Sequence, residues 1–157
     1  MTDVHPIHHY HATCRWEGST GAGYELYGRA HTLTAKPARA SLAASSDPAF
    51  RGDPALLNPE QLLVMAAASC QMLSFLAIAA RKRIDVIEYH DDAEGFMPED
   101  DKPVRLTRIV LHPRIVIAGS IERAQFDQMV ELAHQHCFIA NSLKTEIRIE
   151  ARPEFRT

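Results

Sequence analysis

A long and nearly unbroken apolar segment, Leu62 to Ala80, occupies the middle of the chain. The residues before it, 58–61, supply an asparagine N-cap, a proline for the first helical position and a glutamine three residues after the cap. These features predict a helix that continues to about Arg81 and is roughly 35 Å long. Because this helix is apolar nearly all round, we expect it to be central and covered on several sides. One subunit of this size has little surface with which to cover it, and this favours a dimer.

Strand patterns and turn residues dominate the chain before this helix. Residues 10–16 and 24–34 predict two strands, and the Gly/Ser/Thr cluster at 18–23 predicts the hairpin turn between them. Ala40 to Ala44 predicts a third short strand. A loop rich in turn dipeptides then covers Ser45 to Leu57. This part of the chain is therefore predicted to be β-rich.

Beyond the central helix, the pattern predicts further strands and a second helix. Val86–Glu94 and Val104–Ile117 predict two strands, and Pro113 inside the second indicates an edge or a bulge. Ser120 is the predicted N-cap of the second helix. Thr145–Ala151 alternates and predicts the last strand. The predicted order is βββ-α-ββ-α-β, an α+β domain with a long buried helix at its centre.

The composition fits one globular domain. Of 157 residues, 46% are apolar and 24% are charged, so we predict a single domain over 1–157 with a flexible N-terminus at 1–9. With a net charge of −3, the chain lacks the excess of basic residues that is typical of proteins that bind nucleic acid or anionic membranes. The N-terminus lacks a secretory signal pattern, and Ser69, Gln71 and Ser74 within the apolar segment favour a buried helix over a membrane span. We expect a cytoplasmic protein without nucleic-acid or membrane partners.

Three cysteines, Cys14, Cys70 and Cys137, carry the candidate chemistry. An odd number without a secretory signal argues against a structural disulfide framework. Cys70 lies in the middle of the predicted central helix, and Cys137 lies on the inward face of the second helix near its end. Cys14 lies in a predicted strand and is assigned a structural role. A buried cysteine on its own is most often an inert hydrophobe, so the case for chemistry depends on other motifs.

Two segments around these cysteines resemble a known family. The run Asn58-Pro59-Glu60-Gln61-Leu62, followed by Ala66-Ala67-Ala68-Ser69-Cys70, is similar to the OsmC/Ohr family of organic hydroperoxide reductases. The run Ala133-His134-Gln135-His136-Cys137, followed by Asn141-Ser142, is similar as well. Cys70 follows the glutamate by 10 residues, and Cys137 follows Cys70 by 67 residues, which fits the family. The predicted order of helices and strands agrees with that of the family over nearly the whole chain.

The resemblance implies a thiol peroxidase that reduces organic hydroperoxides to alcohols and protects against oxidative stress. Cys70 would attack the O–O bond as a thiolate and become a sulfenic acid, which Cys137 would resolve as an intramolecular disulfide. A small or lipoyl dithiol would then reduce the disulfide, so no bound cofactor is expected. The resemblance also implies an intertwined homodimer with active sites at the interface.

The family further implies an arginine that holds the thiolate and a glutamate that orients this arginine. Glu60 matches the glutamate, but ten residues of straight helix separate it from Cys70 by about 15 Å, so it must act through an intermediary. Arg51, in the loop before the helix, is the best match for the arginine. Arg15 and Arg29 are the alternatives, because the Ohr branch takes this residue from the N-terminal strands.

Two other functions are compatible with the same residues: a non-enzymatic OsmC-like protein that binds a hydrophobic ligand, and a redox sensor that uses the same cysteine pair. The presence of both cysteines with two candidate partners favours the peroxidase. His134 and His136 resemble a metal cluster with Cys137, but positions i and i+2 of a helix point to different faces, so we expect no metal. Some apolar residues would suit a pocket for alkyl or fatty-acid hydroperoxides, although core packing explains each of them better: Phe50, Leu56, Leu57, Met65, Met72 and Phe138.

Overall fold

The computed structural model of the chain describes residues 5–157. Residues 1–4, part of the N-terminus that was predicted to be flexible, lie outside the described residues. Residues 5–12 are exposed and have no regular secondary structure. The chain forms two compact units, Met1–Pro59 and Glu60–Thr157. The single domain predicted from the composition stays a prediction.

The first unit contains an antiparallel sheet with the strand order β1-β2-β3. Its strands are β1 Thr13–Arg15, β2 His31–Thr34 and β3 Ser41–Ala44. The three predicted strands are therefore present but shorter, because turns and bends replace most of the residues between β1 and β2. A 3₁₀ turn, Pro48–Phe50, follows β3, and the Asp47 carboxylate caps it by accepting the backbone N–H of Ala49.

The central helix α1 runs from Pro59 to Arg81, as predicted. Met65 and Leu73 are exposed on it, and only 22% of its most apolar window is buried, so one chain covers it less than predicted. By length and composition alone α1 also meets the criteria of a membrane span, which the core helices of globular proteins meet as well. The residues of α1 that are buried are Ala67, Gln71, Phe75, Ile78 and Ala79.

The second unit adds two three-stranded sheets within residues 60–157. Its strands are β4 Val86–Asp91, β5 Glu94–Phe96, β6 Arg108–Leu111, β7 Pro113–Ala118, β8 Glu146–Ile149 and β9 Arg152–Arg156. In one sheet β7 pairs antiparallel with β4 and parallel with β9. In the other, β6 pairs antiparallel with β5 and parallel with β8.

The strands of the second unit are more numerous than predicted. The predicted strands Val86–Glu94 and Val104–Ile117 each divide into two. The second break falls at His112, whose backbone N–H donates to the Asp91 carboxylate at 2.7 Å. Pro113 is the first residue of β7, a position that needs no backbone donor. Strand β9 was not predicted, because its sequence is mostly polar and contains a proline.

The second predicted helix is also divided, into α2 (Arg123–Gln135) and α3 (Phe138–Ser142). The predicted N-cap at Ser120 is wrong: Glu122 precedes the first helical residue and has an extended backbone, so α2 begins three residues after Ser120. Cys137 does not lie on α2, as predicted, but between the two helices, where it is the N-cap of α3.

Two hydrophobic clusters among residues 60–157 hold α1 in place. The larger cluster joins α1, β7 and α2 through Phe75, Ile78, Ala79, Ile115, Ile117, Phe126, Met129 and Ala133. The smaller cluster joins α1 and β6 through Ala67, Ile109 and Leu111. The observed order is βββ-α-ββββ-αα-ββ, and the α+β class predicted from the sequence is confirmed.

Candidate functional site

Cys70 occupies the middle of α1 and is half-buried. Its neighbour Gln71 is buried, and the Gln71 side-chain amide donates to the Val130 carbonyl of α2 at 3.3 Å. This bond fastens α1 to α2 immediately beside Cys70. Because the helix is rigid, Cys70 is held at a fixed position beside α2.

Cys137 lies beside Cys70, at the junction of α2 and α3. It is 1% exposed, and its sulfur accepts the backbone N–H of Ala140 at 3.4 Å as the N-cap of α3. The cap orients the thiol, since α3 leaves its first backbone N–H groups without partners inside the helix. Cys137 is therefore a buried thiol of defined orientation.

The two thiols meet: the Cys137 thiol is hydrogen-bonded with Cys70. The pKa of Cys137 is raised to about 11, mainly by burial. The hydrogen bond from the Ala140 N–H lowers this pKa, and the interaction with Cys70 raises it further. Cys137 is therefore protonated near neutral pH, whereas Cys70 has access to solvent. Both are free thiols in this structure. The pair thus consists of one accessible thiol and one protonated, buried thiol in contact.

A buried phenol lies in the electrostatic surroundings of this pair. Burial raises the pKa of Tyr89, and Asp91 and Cys137 add to the rise. The Tyr89 hydroxyl has no hydrogen-bond partner in the described structure, and its ring packs against Phe75 with centroids 6.2 Å apart. Tyr89 is therefore a neutral phenol near neutral pH.

An elongated cavity of about 650 Å³ opens beside Cys70. This volume falls in the range of small-molecule sites. Phe138 is the one residue of the predicted pocket set that lines it, and it is 79% exposed. The cavity is lined by Ala66, Ser69, Cys70, Leu73, Ser74, Ala77, Ile78, Arg81, His136, Phe138 and Ile139.

Glu60 lies in the first turn of α1, as predicted. A carboxylate is favoured there by the positive end of the helix dipole. The ten residues between Glu60 and Cys70 correspond to about 15 Å of straight helix. The two side chains therefore do not touch, and any effect of Glu60 on the thiol needs an intermediary.

Arg51 lies in the first unit, immediately after the 3₁₀ turn. Its backbone is left-handed, with φ at 67°, and its guanidinium forms an ion pair with Glu25. Both side chains are about half-exposed, and an exposed pair of this kind contributes only about 0.2–1 kcal/mol. Arg51 is therefore held weakly and can exchange Glu25 for another carboxylate or a thiolate.

The two alternative arginines have other surroundings. Arg29 donates to the carbonyls of Tyr27 and Tyr24 and stacks on both rings, so most of its hydrogen-bonding capacity is used within the first unit. Arg15 is exposed and pairs with Glu17 at 2.7 Å. Arg51 and Arg15 therefore each have a single, exposed carboxylate partner, whereas Arg29 is held by several contacts.

The remaining predicted features are easily placed. Cys14 is exposed on β1, opposite Leu33 of β2, and is a free thiol. His136 lines the cavity, and the Nδ1 atom of His134 is buried without a hydrogen-bond partner in the described structure. Among residues 5–157, no group of three or more His, Cys, Asp or Glu side chains is arranged to hold a metal ion.

Leu73 and Arg81 are among the cavity residues that the sequence reasoning missed. Both follow Cys70 at helical spacing, three and eleven residues on, so they share its face of α1. The signal was thus present in the sequence. It could not be used, since periodicity alone does not tell which face of an apolar helix borders a cavity.

The chain is similar to known proteins over most of its length. The family model for OsmC-like proteins matches residues 52–152. An OsmC-like protein of unknown function from Vibrio cholerae is 34% identical, with a TM-score of 0.83 over 93% of this chain and 100% of that chain. No curated protein matches the sequence significantly.

More distant structures share the fold. An organic hydroperoxide resistance protein OsmC from Legionella pneumophila is 14% identical, with a TM-score of 0.67 over 96% of this chain and 99% of that chain. The organic hydroperoxide resistance protein OhrB of Bacillus subtilis is 18% identical, with a TM-score of 0.59 over 94% of this chain and 98% of that chain. The match to the family model and the identity with the Vibrio protein together show that this chain belongs to the OsmC-like protein family.

Proposed function

We propose that the protein is a thiol peroxidase that reduces organic hydroperoxides to alcohols with Cys70 and Cys137. The observation that carries the proposal is the contact between an accessible thiol and a buried, protonated one beside an apolar cavity. The fold shared with organic hydroperoxide resistance proteins supports it. A structural role for both cysteines would not require the cavity to open at Cys70.

In the first step the Cys70 thiolate attacks the terminal oxygen of ROOH. The O–O bond breaks with its electron pair on the leaving alkoxide, which takes up a proton and departs as ROH. Cys70 is oxidised to a sulfenic acid. Cys70 suits this role because it borders the cavity, whereas Cys137 is buried and protonated.

In the second step the Cys137 sulfur attacks the sulfenic sulfur of Cys70. The S–S bond forms and the S–O bond breaks, and the Cys137 proton leaves with the hydroxide as water. A dithiol such as dihydrolipoamide then reduces the disulfide by thiol–disulfide exchange and is itself oxidised. The contact between the two thiols supports this step, since it needs no large movement.

We assign the cation of the site to Arg51, with Glu60 as the carboxylate that orients it. A guanidinium stabilises both the thiolate and the negative charge that develops on the departing oxygen. The weak, exposed pairing of Arg51 with Glu25 supports this assignment over Arg29. We expect Arg51→Gln to lower kcat/KM about 100-fold, and Arg39→Gln, in the same unit, to leave it unchanged.

We also propose that the protein acts as a homodimer in the reducing cytoplasm. Met65, Leu73 and Phe138 are large apolar side chains that one chain leaves exposed. A second copy that covers α1 would remove these side chains from water and close the open side of the cavity. The active sites would then lie at the interface between the two subunits.

Turnover with cumene hydroperoxide and dihydrolipoamide tests the function, with Cys14→Ser as the matched control. We expect wild type and Cys14→Ser to turn over many times, Cys70→Ser to be inactive, and Cys137→Ser to accumulate sulfinic acid. Oxidation of the pair without turnover would instead indicate a redox sensor. Full retention of thiols in the presence of peroxide would indicate a non-enzymatic binding protein and would refute the proposal.

A further inference from the structure

Tyr89 is a buried polar residue that the proposed peroxidase steps do not use. Its hydroxyl is enclosed without a hydrogen-bond partner in the described structure and interacts electrostatically with Cys137. Its ring packs against Phe75, and a phenylalanine ring would make the same contact. Because a buried hydroxyl without a partner costs stability, phenylalanine would serve the packing better. The hydroxyl therefore indicates a function other than packing.

Asp91 places a second unused polar atom on the same face of β4. Tyr89 and Asp91 are two residues apart on this strand, so their side chains point to the same side, and the two groups interact electrostatically. One carboxylate oxygen of Asp91 accepts the His112 backbone N–H, whereas Oδ2 is buried without a partner among the described residues. Starting from Cys137, the polar groups thus continue through Tyr89 to Asp91.

Asp91 is connected to water by a cavity of its own. This cavity of about 550 Å³ is lined by Asp91, His112 and Glu94, and the residues of α1 that line it carry no charge. Glu94 is exposed and pairs with His112 at 3.0 Å, so the cavity reaches solvent at this rim. It shares no lining residue with the cavity beside Cys70. A proton can therefore pass between water and Asp91 without crossing the substrate cavity.

Reduction of the disulfide creates a need for a proton at Cys137. The reductant reaches Cys70, which borders the open cavity, whereas Cys137 is 1% exposed. Attack on the Cys70 sulfur breaks the S–S bond and leaves its electron pair on Cys137, where a buried and basic thiolate is a poor leaving group. The backbone N–H groups of Ile139 and Ala140 stabilise this thiolate but do not release a proton. The proton must therefore come from another group.

We propose that Tyr89 and Asp91 deliver this proton to Cys137 when the disulfide is reduced. The proposal rests on the peroxidase function proposed above. As the S–S bond breaks, the Tyr89 hydroxyl gives its proton to the Cys137 sulfur and takes up the proton of the Asp91 carboxylic acid, which is then reprotonated from water. The disulfide is reduced, the reductant is oxidised, and one proton moves from water to Cys137.

The surroundings of Asp91 suit a proton donor. Burial is the main cause that raises the pKa of Asp91, so its acid form is more abundant near neutral pH than that of an ordinary carboxyl. Among its charged neighbours, His112 and His90 lower this pKa and Asp92 raises it. Tyr89 passes the proton on and remains a neutral phenol before and after the step.

Single-turnover reduction of the oxidised protein by tris(2-carboxyethyl)phosphine tests the proposal, because a phosphine attacks the disulfide without losing a proton of its own. Free thiols are counted by mass spectrometry after an acid quench. We expect Tyr89→Phe and Asp91→Asn to be reduced about 10- to 100-fold more slowly than wild type. The double variant should be no slower than the slower single variant, since the two groups act in series.

The pH profile separates proton donation from a structural role. Between pH 8 and pH 9.5 the wild-type rate should fall as the acid form of Asp91 is depleted, and both variants should give a flat profile. The rate of oxidation by cumene hydroperoxide and the stability should not fall in either variant, because no hydrogen bond is lost. The exposed control variants Tyr10→Phe and Asp85→Asn should behave as wild type does.

Three results would overturn the proposal. The first is a wild-type rate of reduction in Tyr89→Phe, and the second is a wild-type rate that does not change between pH 8 and pH 9.5. The third is slow reduction in His136→Gln without slow reduction in Tyr89→Phe, because His136 lines the cavity beside Cys70 and would then be the donor.

Diamide separates failure of this proposal from failure of the peroxidase, because it oxidises a thiol pair to a disulfide without a peroxide. If no hydroperoxide is reduced but the disulfide formed by diamide is reduced slowly in both variants, the peroxidase is wrong and the proton path stands. If hydroperoxide turnover is normal and both variants are reduced at the wild-type rate, the proton path is wrong and the peroxidase stands. If diamide forms no disulfide between Cys70 and Cys137, both proposals are wrong.

Discussion

The protonation of Cys137 gives a sharp test of the site, because its pKa lies far from that of an ordinary thiol. Burial is the main cause of the rise to about 11, and contact with Cys70 adds to it. At pH 9 a thiol with this pKa is roughly 1% thiolate, whereas an ordinary thiol near 8.5 is roughly three-quarters thiolate. The buried resolving thiol should therefore hold its proton where exposed thiols have lost theirs.

The assay is ¹³Cβ NMR of cysteine-labelled protein between pH 7 and pH 10, where each cysteine gives its own signal. We expect the Cys137 signal to stay at its neutral position up to pH 9. Cys70→Ser should lower the pKa of Cys137 but leave it above the ordinary value, since burial remains. A wild-type Cys137 that titrates at or below pH 9 would refute the electrostatic account of the site.

The same shift links stability to pH. The folded state holds the Cys137 proton more tightly than the unfolded state. Below pH 8.5 Cys137 is protonated in both states, so its contribution to the free energy of unfolding is constant there. Between pH 8.5 and pH 11 the unfolded state loses its proton first, and the free energy of unfolding falls by up to roughly 3 kcal/mol. Denaturant titrations should show this fall in wild type, and Cys137→Ala should lack it.

Three further predictions concern the scaffold; denaturant unfolding checks those on Phe126 and Asp91, and peroxidase turnover with the pH titration of Cys137 checks that on Gly52. Phe126→Ala empties a fully buried position and should cost about 3–5 kcal/mol. Gly52→Ala places a methyl group 1.6 Å from the Ser46 carbonyl oxygen, so the turn that carries Arg51 should be disrupted and peroxidase turnover should fall, while Cys137 should keep its raised pKa. Burial raises the pKa of Asp91, whose carboxylate accepts the backbone N–H of His112. Asp91→Asn keeps this acceptor, so the variant should be as stable as wild type at pH 7 or more stable. The difference in stability should shrink as the pH falls, because Asp91 then becomes protonated and neutral in wild type. Asp91→Ala removes the acceptor and should cost about 1–3 kcal/mol.

The parts of the fold that local sequence determines were predictable. Helix α1 begins and ends where its capping residues and apolar run indicate, because capping and periodicity act within a few residues. The break at His112 was not predictable, since it depends on the hydrogen bond that the His112 backbone N–H donates to Asp91, 21 residues away. The start of α3 at Cys137 is similar: a thiol is an uncommon cap, and burial fixes it there.

The candidate site, like the fold, could be predicted from the sequence only in part. The 67 residues between Cys70 and Cys137 carry no local signal of contact, so the pairing came from family resemblance, and the structure brings the two thiols together. The roles of Arg51 and Glu60 stay predictions. Arg81 shares the helical face of Cys70, but the cavity that this face borders depends on the packing of α1 against the α2–α3 junction.

Peptide mapping of the protein after one equivalent of cumene hydroperoxide shows directly whether Cys70 and Cys137 are the redox pair. Alkylation at low pH followed by mass spectrometry reports which cysteines are joined. We expect one disulfide, between Cys70 and Cys137, with Cys14 recovered as a free thiol. A disulfide that includes Cys14, or Cys70 and Cys137 both recovered as free thiols, would contradict it.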